Sequence, residues 1–526
     1  MFINDVGGIG LIADKPPHSL PLNSWSAGQN IRMYEGGVEK VLGHRSAIGT
    51  PSTAPYFLMH CKGTGAEEIW MYCGETSIHV TAGGQNGVHK DISRSGSAYS
   101  GSTTEQSWTG LVFGGIPIVN NANGDVPQMW KPINFGTPQL LQDLSNWPTG
   151  LLCKSISGFK QFMIAMDISK TANNTTTQYP RMIKWSDQSA FNDVPASWDE
   201  TVASGDAGEY ELSDSQGNIL MGKQLRDSFL IYKSDSIWGM NYIGPPYIFR
   251  FYEVSKQYGA LSRHSVIEVE GGHIVLANGD LLLCDGQSVK SLMTQKMRRY
   301  LFDSIEPDSY HNSFLALNQP RNEIWICYPT DTESWPNRAV IWNYKENTFG
   351  VRDLPAGTTM GASGVVNPSD VLDWSGGSYW DDNYDSWNSR VYNPSQQRLM
   401  ISNVTSTKLF LVDTTHKFDA TNAVSYIERT GLHFDKPNVI KLATRVSLNF
   451  EKSGRGEVEV LVGSHDSPDG SVSWSPPVSI DPTTASGSKV DVMISGKYLA
   501  LRVQSDTDVG WKLHSYEIEL TEMGNG

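Results

Sequence analysis

One unit recurs along the chain: an apolar strand, a short polar turn, then a second apolar strand that often carries an aromatic residue. Copies stand at residues 68–82, 110–130, 162–191, 228–240, 271–292, 322–354 and 398–418. Self-similarity at this spacing constrains the fold more than any single motif, because a unit that cannot bury its own faces must stack on neighbours. Both faces of each predicted hairpin are apolar, as in EIWMYC from Glu68 and SFLIYK from Ser228. A strand with one wet face would alternate instead. Seven such units, each with room for a four-stranded blade, predict a β-propeller of six or seven blades. A run of β-sandwiches would need longer alternating strands in regular Greek-key spacing.

Composition agrees. Charged residues are 18% of the 526, while Gly (50) and Pro (26) supply turns and Trp (16) and Tyr (21) supply flat packing surfaces. Only residues 294–305 (TQKMRRYLFDSI) read as a helix, with Met297, Leu301 and Ile305 on one face. Its basic trio Lys296, Arg298 and Arg299 is either a solvated face or a contact for a partner. From Val424 onward the strands lengthen and alternate strictly, as in GEVEVLVGS and KYLALRVQS, which predicts a separate antiparallel sandwich. The expected division is an N-terminal arm and hairpin (1–48) joining the propeller, the propeller (49–418), and the sandwich (419–526).

The motifs that could carry chemistry are weak. Gly8-Ile9-Gly10-Leu11-Ile12-Ala13 fits a dinucleotide fingerprint only in letters, because Pro16-Pro17 forbids the helix it needs. Residues 467–474 approach the Asp-box turn of sialidase propellers, a structural motif. Asp381, Asn383 and Asp385 have calcium-loop spacing, but the usual Gly is missing and Tyr392 stands where the closing Glu belongs. Trp374, Tyr379, Trp380, Tyr384 and Trp387 interleave with them, so this stretch is an aromatic turn, a calcium loop or a sugar-binding surface. The five cysteines (Cys61, Cys73, Cys153, Cys284, Cys327) are scattered and read as buried apolar residues in a reducing compartment. Asn174 and Asn403 head sequons that matter only in a secreted eukaryotic protein. No catalytic residue, metal or cofactor is expected.

A formal charge of −15 argues against a chain that grips phosphates, yet it suits a wall past which DNA slides. The start, MFINDVGGIGLIAD, lacks the basic region and apolar run of a secretory signal, and no apolar run is long enough to span a membrane. A protein made in a cytoplasm is expected.

Residues 20–45, LPLNSWSAGQNIRMYEGGVEKVLGHR, are the most specific stretch. They predict a turn, a strand carrying Ile31 and Met33, a Gly-Gly hairpin at 36–37 and a return strand at 38–41. The pattern carried by Trp25, Gly28, Asn30, Arg32, Gly37, Glu39 and Gly43 resembles the N-terminus of tail nozzle (tail tubular, DNA-stabilisation) proteins of short-tailed bacteriophages. RMIKWSDQSAFNDVPASW, residues 225–262, and WNSRVYNPSQQRLMI with YIERTGLHF resemble the same family, and together the stretches cover most of the chain.

The resemblance implies a non-enzymatic structural subunit in the virion tail, made in the host bacterial cytoplasm. It implies a homo-hexameric ring that extends the portal–adaptor channel, retains packaged DNA, and conducts it during ejection. The expected partners are the adaptor ring, other tail proteins such as fibres or a needle, and double-stranded DNA passing without sequence-specific contact. Glu67/Glu68, Asp199/Glu200 or Asp381/Asp382 are candidates for an acidic lumen. The alternatives are a receptor- or glycan-binding tail protein, built on the aromatic stretch 374–387, and a glycan-degrading one.

Overall fold

The computed structural model describes residues 1–526 except 64–66, 83–86, 203, 294–295, 367–396, 455, 469, 482–488 and 526. Seven sheets follow one another along residues 57–91, 108–143, 151–211, 219–255, 266–291, 314–353 and 358–412, here called blades 1 to 7. In blades 1 to 6 the strands are antiparallel and spatially ordered as in sequence, A to D, and residues 358–412 supply strands A to C of blade 7. The A strands pack side by side around a common axis, and the A strand of blade 7, Thr358–Gly364, reaches the A strand of blade 1, Phe57–Lys62. The fold is a seven-bladed β-propeller with a C-terminal β-sandwich.

Each of the seven sequence repeats lies on one blade, on strands B and C in most cases. Their two-sided apolar character has a direct cause. In blade 1, Ile69, Met71 and Cys73 enter the core shared with blade 2, while Trp70 and Tyr72 enter the core shared with blade 7. Phe162, Ile164 and Met166 of blade 3 likewise face blade 4, and Met163, Ala165 and Ile168 face blade 2. A sheet covered on both sides has no solvent face on which polar residues could alternate.

The N-terminal arm does more than join the propeller. Its strand His44–Ser46 is the fourth strand of blade 7, pairing Arg45 with Leu411, so the two ends of the propeller are zipped together. Ala27–Gln29 instead adds to the sandwich strand Ser425–Leu432, and Phe2–Ile3 adds to the last strand, Val509–Asn525. Between them, Ile31–Tyr34 pairs with blade 6 and Gly37–Lys40 pairs with Val509–Asn525. The hairpin thereby fuses blade 6 and one sandwich sheet into a single ten-stranded sheet. Its turn is Glu35-Gly36, both left-handed (φ 52° and 71°), one residue before the expected Gly-Gly pair. One core runs through the fusion, from Ile274 and Ile324 of the propeller past Trp25 and Ile31 to Val446, Leu501 and Trp511 of the sandwich.

The helix is shorter than its periodicity suggested. Only Arg298–Phe302 is α-helical, although Met297 and Leu301 are buried as expected. Its first free N–H groups, at Arg299 and Tyr300, are accepted by the Asp14 carboxylate of the distant arm rather than by a local cap. No helix among the described residues is long and apolar enough to cross a membrane.

Candidate functional site

Three places in the fold gather polar, charged or exposed apolar side chains that packing alone does not require. The first is the propeller axis on the face formed by the B–C and D–A connections. Gln106, entering blade 2, donates through Nε2 to the Tyr56 carbonyl (2.7 Å) and the Thr359 carbonyl (2.9 Å). Its backbone N–H donates to Asn312 Oδ1 at 3.0 Å, and its carbonyl accepts from Arg263 Nη1 at 3.2 Å. His264 bonds the Trp108 carbonyl at 3.0 Å. The strand entering blade 2 is thus tied directly to the connections that enter blades 5 and 6. Burial lowers the His264 pKa to about 4, so the imidazole is neutral. Deeper, Asp167 lies 3.3 Å from Lys154 and faces Arg263. Burial raises the Asp167 carboxyl and the two cations oppose that rise.

The second place is the joint between the arm, blades 6 and 7, and the sandwich. Arg32 is fully buried and grips Asp413 with both terminal nitrogens, at 3.0 and 2.5 Å, with Glu323 at 3.4 Å. Arg352, equally buried, donates to the Leu42 carbonyl (2.8 Å) and to His44 Nδ1 (3.2 Å), and stacks 4.5 Å over Trp325. Asn318 Nδ2 bridges Asp413 (2.7 Å) and Glu323 (3.1 Å). Burial alone would raise the Asp413 carboxyl, but Arg32 and then Arg352 outweigh it and hold it at about 2. Glu323 has fewer cations around it and its pKa is raised by burial. Asn30, itself left-handed, donates to Asp353 (2.9 Å) and the Val424 carbonyl (2.7 Å) and accepts from the Asp353 N–H (2.8 Å). In the sandwich, buried Arg429 holds the arm's Pro17 and Leu20 carbonyls at 2.8 and 2.9 Å. Such a network fixes orientation; a buried pair adds little net stability but is costly to break.

The third place is the opposite face, built from A–B and C–D connections. Leu140 of blade 2, Phe191 and Val202 of blade 3, and Ile243 and Tyr247 of blade 4 all lie exposed on C–D connections, Phe191 by 86% and Tyr247 by 76%. Tyr210, at the start of the D strand of blade 3, stacks on Phe251 of blade 4 at 4.5 Å and is also exposed. The loops are contiguous: Asn192 N–H reaches the Gly114 carbonyl, Lys131 reaches the Asn192 carbonyl, and Trp185 packs on Phe249. Hydrophobic groups scattered singly are ordinary; grouped on three consecutive blades they mark an interaction surface.

Of the acids expected to line a lumen, the two pairs among the described residues, Glu67/Glu68 and Asp199/Glu200, lie on different blades. Glu68, on blade 1, pairs with His60 at 2.9 Å, and Glu67 lies in the turn beside it. Asp199 and Glu200 lie on blade 3, where Glu200 accepts from Lys184 and Asp199 closes its own turn through Thr201. Asp381, Asp382, Asp385, Trp374, Trp380 and Trp387 lie outside the described residues. The turn at 467–470 belongs to the sandwich, not to a blade. All five cysteines are buried and free, and among the described residues no group of His, Cys, Asp or Glu is placed to hold a metal ion. The buried partners of Arg32 escaped the sequence because Glu323 and Asp413 are more than 280 residues away. The one visible signal was an arginine in an otherwise apolar strand, Ile31-Arg32-Met33.

No family model matches the chain, and no curated protein sequence matches it. Among solved structures it is similar to a streptogramin B lyase at 11% identity and a TM-score of 0.38, covering 71% of this chain and 97% of that one. It is similar to virginiamycin B lyase from Staphylococcus aureus at 9% identity and a TM-score of 0.37, covering 70% and 98%. The AfRom2 CNH domain is matched at 8% identity and a TM-score of 0.36, covering 71% and 97%. At such identities and scores none of these proteins bears on what this chain does.

Proposed function

We propose that this chain is a structural subunit of the tail nozzle of a short-tailed bacteriophage, assembling as a ring that continues the portal–adaptor channel, retains packaged DNA and conducts it at ejection. One observation carries the reading: the residues of the nozzle-like pattern converge on the joint. Trp25 is buried and donates to the Val6 carbonyl at 2.7 Å. Asn30 and Arg32 tie the arm to blades 6 and 7, and Glu39 contacts Arg321 at 3.5 Å. At Gly43 a Cβ would stand 1.7 Å from the Lys417 carbonyl. A resemblance confined to a surface loop would say little. One that falls on the residues welding propeller to sandwich describes a whole architecture.

The work of such a subunit is mechanical and electrostatic rather than catalytic. Hydrogen bonds link the connections around the propeller axis, and in this reading DNA passes along the axis of the ring and not through one propeller. A net charge of −15 per copy keeps a duplex from adhering to the wall. The adaptor ring and other tail proteins are the expected neighbours. Electron microscopy of the purified chain tests this: six-fold rings with a central pore support it. A chain that stays monomeric and binds or cleaves host polysaccharide would replace it with the receptor- or glycan-directed reading.

A further inference from the structure

We propose that the exposed apolar face on blades 2 to 4 docks onto a second copy of this chain, on the basic shoulder formed by residues 289–293 and 296–299 at blade 5. This inference rests on the ring reading above and names the surfaces that make the ring contact. The two surfaces are complementary in charge. The C–D connection of blade 3, residues 186–207, contains Asp187, Asp193, Asp199, Glu200 and Asp206 and no Lys or Arg. It also carries exposed Phe191 and Val202, with Ile243, Tyr247 and Leu140 beside it. Lys131 lies 3.7 Å from Asp193 and Lys184 pairs with Glu200, so five acids meet two neighbouring cations, and a partner that offers cations beside apolar groups complements this loop.

The same chain supplies that partner. Residues 289–299 contain Lys290, Lys296, Arg298 and Arg299 and no acid. Lys290, Arg298 and Arg299 are exposed, and Val289 and Leu292 are partly exposed among them. Arg298 Nε donates to the Gly279 carbonyl at 2.5 Å, which places this side chain at the B–C turn of blade 5, and Lys296 Nζ donates to the Asn347 carbonyl at 2.8 Å. Of the acids nearby, Asp14 is engaged with the Arg299 and Tyr300 N–H groups, Asp285 with the Gln287 and Ser288 N–H groups, and buried Asp280 with the Leu281 N–H, while Asp303 at the end of the helix is exposed.

Charge makes self-association the demanding case and also the informative one. With 56 acids against 41 basic residues, two copies repel unless the local cations of one meet the acids of the other. The acidic face lies on the A–B/C–D side of the propeller and the basic shoulder on the B–C/D–A side. Two different patches on one chain give a head-to-tail contact, which closes into a ring when the rotation between neighbours divides the circle.

The test is charge reversal followed by charge exchange in the full-length chain, read by native mass spectrometry and negative-stain microscopy. Arg298→Glu with Arg299→Glu should weaken assembly by at least about tenfold, since attraction becomes repulsion at two positions. Asp193→Lys with Asp199→Lys should weaken it similarly. Combining the four changes in one chain, or mixing the two defective variants, should restore assembly. All four residues are exposed, and the changes remove only surface contacts, among them the Asp199–Thr201 turn bonds and the Arg298–Gly279 bond. Unfolding should therefore stay cooperative with a midpoint near the parent's, and Tyr247→Ala gives an independent apolar probe of the same contact. Rings that persist through either reversal, or that the exchange fails to rescue, overturn this interface while leaving the ring reading intact. A parent chain that never assembles overturns both.

Discussion

Replacing Arg32 by Met removes a buried cation while keeping an unbranched apolar side chain in its place. Asp413 then retains Asn318 at 2.7 Å and Arg352 at 3.5 Å, and Glu323 retains Asn318 at 3.1 Å and Trp325 Nε1 at 3.0 Å. Two carboxyl groups share what is left, and one of them must take up a proton or stay uncompensated. Breaking a buried pair from one side in this way costs about 3–5 kcal/mol. Because one core runs from propeller to sandwich, the chain should unfold as a large cooperative unit. At about 2.1 cal/mol/K per residue the unfolding entropy is about 1.1 kcal/mol/K, so the midpoint should fall by about 3–5 °C. Differential scanning calorimetry at neutral pH reads the shift, and limited proteolysis should show new cleavage within residues 1–48. Asp413→Leu should be comparably damaging, and the double variant should lose less than the sum, because neither charge is then left alone. A single variant within about 1 kcal/mol of the parent, or strict additivity in the double, would refute the account of the joint.

Other consequences follow from the same structure. Gly43→Ala places a Cβ 1.7 Å from the Lys417 carbonyl, so the strand closing blade 7 must shift, and the variant should be more than about 2 kcal/mol less stable in urea; unchanged stability would show that the closure tolerates slack. Burial holds His264 and His273 at about 4, below their usual 6.5. The unfolded chain therefore binds protons first as pH falls, and stability is full above about 6.5 and lost toward about 4. At pH 5 each should have cost about 2 kcal/mol; equal urea midpoints at pH 7.5 and pH 5 would contradict this. The five thiols should be silent to a thiol reagent in the native chain and all react once it is unfolded, since burial pushes Cys61 up to about 12 and raises the others; a fast-reacting thiol would place a cysteine at the surface.

The propeller was legible because its signal is local and repeated. Each B–C hairpin announces itself through apolar runs such as Glu323–Tyr328, buried along its whole length, and seven copies average out the ambiguity of any one. The arm was not legible in the same way. His44–Ser46, Ala27–Gln29 and Ile31–Tyr34 are short strands whose partners are chosen by the tertiary fold, and nothing in three or four residues says whether blade 6, blade 7 or the sandwich will take them. The helix around Leu301 shows the same limit from the other side. Its apolar spacing was visible and its burial followed, but its length was set by Asp14, which sequence distance hides. The candidate interaction face was hidden for a further reason. Phe191 and Tyr247 look like core residues in the sequence, and only the direction of the C–D connections puts them in solvent.

The joint explains why a propeller of this kind carries its arm at the N-terminus rather than closing with its own last strand. Closure by His44–Ser46 commits the arm to blade 7, and the preceding hairpin commits it to blade 6 and the sandwich in the same few residues. Arg32 and Arg352 stand between these commitments and contact both. Rotation of the sandwich against the propeller would have to pull Gly37–Lys40 from Val509–Asn525, or else pull Ile31–Tyr34 from blade 6 and open the Arg32–Asp413 pair with it. In the ring proposed above, load on one module would reach the other through a continuous sheet and not through a flexible linker. The Arg32→Met variant therefore tests more than stability. If the joint transmits load, rings built from it should lose their uniform sandwich orientation in class averages before they lose the propeller itself.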